Sequence, residues 1–433
     1  MTVYTFGAVG DGVVDDTAAL QHALEAGDGV LELDKGTYRI TAPLVLDTTK
    51  QGYMGVRGRS GTSRILMAGP GPAIQVVGNH LGTARPASYE SHTWDQERMP
   101  ILEGFEIVGE HPEAIGIELR KTTKTVITRV LVRECKYGIH LVERNRDFIL
   151  SDSHLLNNTH HGLFFDHCNL HQIIVHGNHI SWNLKSGIKS VAGDVHNLQI
   201  TGNDIEYNHH QDVDVSPNGE PRGAEIWFDA REGVISEVTI SSNTIQATIQ
   251  PGGSNIRIWG TPDSTIPTNR LIAITGNVLG SQTRAVDLRD GDRITITGNT
   301  IYESQDRSIV MRDCQNIAIG SNTIQSRDIG TRRDRDGLHF IRCQAGVLTG
   351  LQTERLSYGS PEAGAAITLE SCTDFTIGHC QILDPQFRGI ELRDCQRCVV
   401  DGCTIMDRKQ PPTMIEAISV VGGKNNRVER NFL

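Results

Sequence analysis

Gly177-Asn178-His179-Ile180, Gly202-Asn203-Asp204-Ile205, Ser242-Asn243-Thr244-Ile245, Gly276-Asn277-Val278-Leu279, Gly298-Asn299-Thr300-Ile301 and Ser321-Asn322-Thr323-Ile324 repeat one corner motif, and Gly402-Cys403-Thr404-Ile405 is a late variant. The asparagines lie 25, 40, 34, 22 and 23 residues apart, and the short steps give the length of one coil of a solenoid. A second motif keeps pace with the first: Gly116-Ile117-Glu118-Leu119, Gly138-Ile139-His140-Leu141, Gly162-Leu163-Phe164-Phe165, Gly187-Ile188-Lys189-Ser190, Gly337-Leu338-His339-Phe340 and Gly389-Ile390-Glu391-Leu392. Side chains alternate along a strand, so the second and fourth residues of this motif point into the coil and the third points out. Coils stacked about 4.8 Å apart satisfy each other's backbone groups and are stable only as an array. Asparagine tolerates left-handed backbone and bonds to main chain, which suits a corner. Separate α/β domains would need helices of about ten residues between the strands, and only one such run is present, near the N-terminus.

That run begins with Phe6-Gly7-Ala8-Val9-Gly10-Asp11-Gly12-Val13-Val14-Asp15-Asp16-Thr17 and continues to Ala26. Asp15 or Asp16 is placed to cap a helix, and Ala19, Leu20, Ala23 and Leu24 form its apolar stripe. Gly29-Val30-Leu31-Glu32-Leu33 and Gly36-Thr37-Tyr38-Arg39-Ile40 follow as short strands. This opening resembles the pectate-lyase-like superfamily of right-handed parallel β-helices, whose members begin with a GAxGDGxxDDTxAxQxAL pattern and a G-x-Y strand. The resemblance implies an all-β fold: a right-handed parallel β-helix of about 11–13 coils with a short N-terminal capping helix. The expected organisation is one domain over 1–433, with 1–45 as cap and first strands and 203–270 as loop insertions on the working face. Activity does not follow from that fold, since the superfamily includes polysaccharide lyases, glycosidases, sugar transferases, epimerases and phage tail-spike proteins.

Composition agrees with many short strands and tight corners: among 433 residues, 45 are glycine and 5% are aromatic. A formal charge of −11, with no concentrated basic stripe, argues against nucleic-acid or anionic-membrane partners. No apolar run is long enough for a transmembrane helix. Met1-Thr2-Val3-Tyr4-Thr5-Phe6 is not a basic-then-apolar leader, so the chain as it stands is expected in the cytoplasm, or outside the cell if a leader was removed. The nine cysteines lack paired zinc spacing. Cys135, Cys168, Cys314, Cys343, Cys372 and Cys395 mostly fall at one place in the repeat, as small buried residues stacked between coils would.

The 40-residue step from Asn203 to Asn243 and the 34-residue step to Asn277 break the period. Insertions in a solenoid become loops on one face, commonly the functional one. Aligning coils on their corner motifs makes Phe164, Lys189 and Asp214 neighbours outside the first sheet. Ser216-Pro217-Asn218-Gly219-Glu220-Pro221-Arg222 then loops away before Ala224-Glu225-Ile226-Trp227-Phe228, and either Val213-Asp214-Val215 or 224–228 is the sheet strand. Taking the latter, Trp227 stacks on Trp259, and Glu225, Arg257 and Asp287 stack together.

Glycosidic cleavage needs one protonated carboxyl and one carboxylate. Asp214 and Glu225 are therefore the leading catalytic pair, with Asp212 and Asp287 in reserve. Exposed Trp227 and Trp259 would form a sugar platform, and Arg257, Lys189, His209, His210, Asp229 and Arg289 would contact substrate. The expected function is a glycoside hydrolase or glycosyl-transferring enzyme acting on a poly- or oligosaccharide in a groove. The alternatives are a lyase or epimerase on a uronic-acid polymer, using Lys189, Arg257 or a histidine as base, and a non-catalytic glycan-binding, tail-spike-like protein, plausibly a homotrimer. Pectin hydrolysis is in doubt because the Gly-His-Gly motif of polygalacturonases is absent. His154, His179 and Asp204 superpose as three metal-ligating types on adjacent coils. Outward polar stacks are common on such surfaces, so no metal and no cofactor are expected.

Overall fold

The computed structural model describes residues 3–83, 85–209, 223–262, 264–326 and 336–433. The chain divides into two compact units, Met1–His209 and His210–Leu433. Each is a right-handed parallel β-helix of short strands.

In the first unit the α-helix α1 spans Thr17–Ala26 and buries Leu20, Ala23 and Leu24. Asp15 Oδ1 accepts from Thr17 N–H at 3.0 Å, whereas Asp16 turns back to accept from Val9 and Gly10 N–H at 2.6 and 2.9 Å. The two acids thus divide the work of fixing the turn and the helix start. Three rows of inward residues fill the coils. One row runs Ile74, Ile117, Ile139, Leu163, Ile188. A second runs Leu102, Ile127, Leu150, Val175, Ile200. The third runs Ile65, Ile107, Val132, Leu155, Ile180, Ile205. Every member of these rows is fully buried, so each coil covers the apolar ends of its neighbour and alternation alone sets which side chains face out.

The second unit repeats the scheme with Ile226, Ile256, Val286, Ile309, Leu338, Ile367 and Ile390 in one row. Ile240, Ile274, Ile296, Ile319, Leu348, Ile377 and Val400 form another. Ala224–Ser241 is the sheet strand here, while Val213-Asp214-Val215 lies outside the described residues. All nine cysteines are buried free thiols.

At the corners the left-handed residue is the one before the asparagine: Gly202, Ser242, Gly276, Gly298 and Ser321 have φ of 66°, 57°, 65°, 67° and 52°. The expectation that asparagine itself takes this conformation is corrected. The preceding residue makes the bend, and the asparagine turns its amide inward. Asn243 Nδ2 donates to Asn277 Oδ1 at 2.9 Å, Asn277 to Asn299 at 3.0 Å and Asn299 to Asn322 at 2.9 Å. The first unit has the same ladder at Asn178–Asn203 and a second along Asn158, Asn183 and Asn208.

Candidate functional site

In the second unit the outward residues of the first row of strands form a closed network. The register pairs Trp227 with Arg257, and Arg257 with Asp287, while Asp229 pairs with Trp259 and Trp259 with Arg289. The expected stacks of Trp227 on Trp259, and of Glu225 with Arg257, are therefore displaced by two residues. A slip of two keeps every side chain on its own face, so alternation does not expose it. The indoles still meet edge to face at 5.8 Å.

Neither indole is an open platform: Trp227 is 6% and Trp259 1% exposed. Arg289 lies over the Trp259 ring at 3.7 Å, where a sugar would stack. Arg231 and Arg257 stand 5.2 and 5.1 Å from the same ring. Glu225, Arg257 and Asp287 are fully buried. Arg257 donates to Gly223 O at 2.9 Å and Ser254 Oγ at 2.9 Å. Burial lowers its pKa to about 10 against the pull of Asp287, so it stays charged near neutrality. Burial would raise the pKa of Asp287, but Arg257, Arg284 and Arg289 outweigh it and hold the carboxyl below its usual range. Arg231 closes on Asp229 through both carboxylate oxygens at 2.8 Å. Two of the acids expected to line a groove are thus neutralised by arginines.

Asp212, Asp214 and His210 lie outside the described residues. Lys189 and His209 belong to the first unit, where the outward residues of the Gly-Ile-x-Leu motif form a second cluster. They read Gln75, Glu118, His140, Phe164, Lys189 down the strands. Gln75 Nε2 donates to Glu118 at 2.9 Å, and His140 stands between Glu118, 3.4 Å from Nδ1, and Asp166, 3.1 Å from Nε2.

Burial alone would lower the pKa of His140, but Asp166 and Glu118 outweigh it and the value rises. Burial would raise Glu118, yet His140 beside it at 3.4 Å and hydrogen bonds from Gln75 and Arg120 bring it down to about 2. The His140 hydrogen bond is also the largest influence lowering Asp166. His161 has the opposite environment. It is almost fully buried, its Nδ1 has no hydrogen-bond partner, and burial with Lys189 and Lys185 holds its pKa well below that of free imidazole. Tyr137 and Phe164 touch both imidazoles: Tyr137 centroids are 4.9 Å from His140 and 5.9 Å from His161, and those of Phe164 are 5.4 and 4.9 Å away. His160, lowered to about 4 by burial and the lysines 185 and 136, completes the ring. Two histidines with pKa values shifted in opposite directions thus flank one pair of aromatic rings, the arrangement from which acid and base roles are drawn. His209 is buried at the coil corner, its N–H bonded to Asn183 O at 2.9 Å.

Sequence reading missed His140, Glu118, Asp166 and His161 as a group. The signal was the outward position of the repeated motif, which spells Glu, His, Phe, Lys on four successive strands.

A family model described as "Right handed beta helix region" matches residues 100–205 and 191–433. No curated protein sequence matches the chain. Among solved structures, the chain is similar to the A-module of the Azotobacter vinelandii mannuronan C-5 epimerase AlgE4, at 14% identity and a TM-score of 0.51, covering 100% of this chain and 99% of that one. It is similar to the Dettilon tailspike protein at 15% identity and TM-score 0.51, covering 96% and 67%. It is also similar to the Agl-KA catalytic domain at 14% identity and TM-score 0.51, covering 99% and 68%. At these identities the likeness is one of fold.

Proposed function

The chain belongs to the right-handed β-helix region family, and on that premise we propose that it is an enzyme acting on an acidic polysaccharide, moving the proton beside a uronate carboxylate in an elimination or an epimerisation. The opposite pKa shifts of His161 and His140, which share the rings of Tyr137 and Phe164, support this choice. Taking a proton from the carbon next to a carboxylate needs a base with a free lone pair, cations to neutralise the carboxylate, and an acid to return a proton. His161 supplies the base. Lys189 and Lys185, whose charges already bear on His161, supply the cations. His140, whose pKa Asp166 and Glu118 raise, supplies the acid.

Glycoside hydrolysis needs a carboxylic acid that is still protonated near neutral pH. Glu118, Asp166 and Asp287 are all held ionised, so they fit only the carboxylate half of that pair. Asp229 and Asp287 are closed off by Arg231, Arg257, Arg284 and Arg289 and so repel an anionic polymer less. A mannuronan C-5 epimerase, one of the solved structures of similar fold, is named for a reaction of this class.

The test is a panel of neutral and uronic-acid polysaccharides. Elimination yields ultraviolet absorbance from unsaturated uronate, and epimerisation changes the proton NMR spectrum of the polymer without new chain ends. Either product, abolished in His161→Gln, is the expected result. New reducing ends without absorbance, lost in Asp214→Asn and kept in His161→Gln, would transfer the assignment to hydrolysis by Asp214 and Glu225. A panel that yields bound but unchanged polymer would leave a glycan-binding protein.

A further inference from the structure

On another row of strands in the first unit, His154–Leu156, His179–Ser181 and Asp204–Glu206 lie side by side, and His154, His179 and Asp204 occupy one outward column. Glu206 stands two residues beyond Asp204 on the same face. His179 Nε2 is shielded from solvent and has no hydrogen-bond partner among the described residues. It lies 3.6 Å from a carboxylate oxygen of Asp204 and 3.6 Å from one of Glu206. Those distances are long for hydrogen bonds. Two donors each about 2.1 Å from a tetrahedral zinc ion would stand about 3.4 Å apart. One ligand atom from each of His179, Asp204 and Glu206 falls within 4.8 Å of the others.

We infer that His179, Asp204 and Glu206 form a binding site for a divalent transition-metal ion. Imidazole nitrogen with two carboxylates is a donor set that suits zinc, cobalt or manganese better than calcium, which takes oxygens throughout. The His154 ring lies 5.7 Å from that of His179.

On the same face Arg64 and Arg133 hold Glu106 at 2.6 and 2.7 Å. A second histidine and acid group, His171, Asp194 and His196, is also balanced from within. His196 Nε2 meets Asp194 at 2.8 Å, Asn169 donates to the other carboxylate oxygen at 2.8 Å, and Arg146 is a cationic neighbour that lowers the pKa of His171. It serves as the internal control.

Trp182 follows the His179 strand, is 44% exposed, stacks on Tyr207 at 4.9 Å and donates its backbone N–H to Glu206 O at 3.3 Å. Its fluorescence therefore reports on a paramagnetic ion bound here. The experiment titrates the full chain, first dialysed against a chelator, with cobalt(II) chloride. One equivalent is expected to bind, with visible absorption bands of a nitrogen-ligated ion and quenching of tryptophan emission. Asp204→Asn and His179→Gln should each weaken binding at least about tenfold, and Glu206→Gln stands in for either variant if it does not fold. His171→Gln should leave binding unchanged. Absence of stoichiometric binding, equal affinity in wild type and the site variants, or loss in His171→Gln would each overturn the assignment.

Discussion

Replacing Glu118 by glutamine tests the electrostatic core of the proposed acid and base pair. Glu118 is almost fully buried, and its pKa, pushed up by burial, is nevertheless brought down to about 2 by His140, Gln75 and Arg120. A fall of roughly 2.5 units from the ordinary glutamate value corresponds to about 3 kcal/mol favouring the ionised folded state. Glutamine keeps an acceptor for Gln75 but loses the charge facing His140. Glu118→Gln should therefore be less stable than wild type by up to about 3 kcal/mol at pH 7.

The sign of the pH dependence is fixed. A depressed carboxylate contributes stability that is complete above its unfolded pKa and is lost as pH falls through the folded one. The gap should accordingly narrow between about pH 4.5 and pH 2. His140 moves in the opposite sense. Its raised pKa contributes stability present below about 6.5 and lost as pH rises through its folded value, and without Glu118 that value should drop. Urea unfolding of both proteins from pH 7 to pH 3, followed by circular dichroism, measures the gap, and proton NMR of the imidazole measures His140. A gap equal at pH 7 and pH 3, or a His140 titration unmoved by the substitution, would refute the proposed coupling.

In the second unit, Asp287→Asn leaves Arg257, Arg284 and Arg289 facing one another without their shared carboxylate. A loss of about 3–5 kcal/mol is expected, read as a lowered thermal midpoint that Arg257→Met added to Asp287→Asn partly restores. Asn277→Ala removes four hydrogen bonds, two from Asn243 and one each to Ile240 O and Asn299; at about 1 kcal/mol for each it should cost about 4 kcal/mol by denaturant titration, and an unchanged midpoint would contradict a structural ladder. The nine buried thiols, among them Cys135 and Cys168 with burial pushing both up to about 12, should ignore a chromogenic disulfide reagent in the native protein and all react in guanidinium chloride.

The coil was legible because its physics is local. Alternating Gly-Ile-x-Leu strands and Gly-Asn corners each carry their own in-or-out and bend information, and the same reading put His154, His179 and Asp204 in one column as the structure does. Phe164 and Lys189 likewise pair as expected. Legibility ended where local information ends. A two-residue slip at Trp227 leaves parity intact, so only the neighbouring backbone decides that Arg257 lies beside it. Whether an acid is available or already claimed depends on residues such as Arg284 and Arg231 reaching in from the flanks, and nothing in the motif spacing announces that. Asp212, Asp214 and His210 lie outside the described residues.

The amide ladder in the second unit joins Asn243 to Asn277 across 34 residues with the same 2.9–3.0 Å bond that joins Asn277 to Asn299 across 22. The spine thus registers neighbouring turns without sensing how much chain runs between them. Such a molecule can lengthen one excursion, change its chemistry, or exchange it for another, while the rung beneath is kept in place by a single repeated type of contact. The long excursions are therefore the natural place to graft new binding loops.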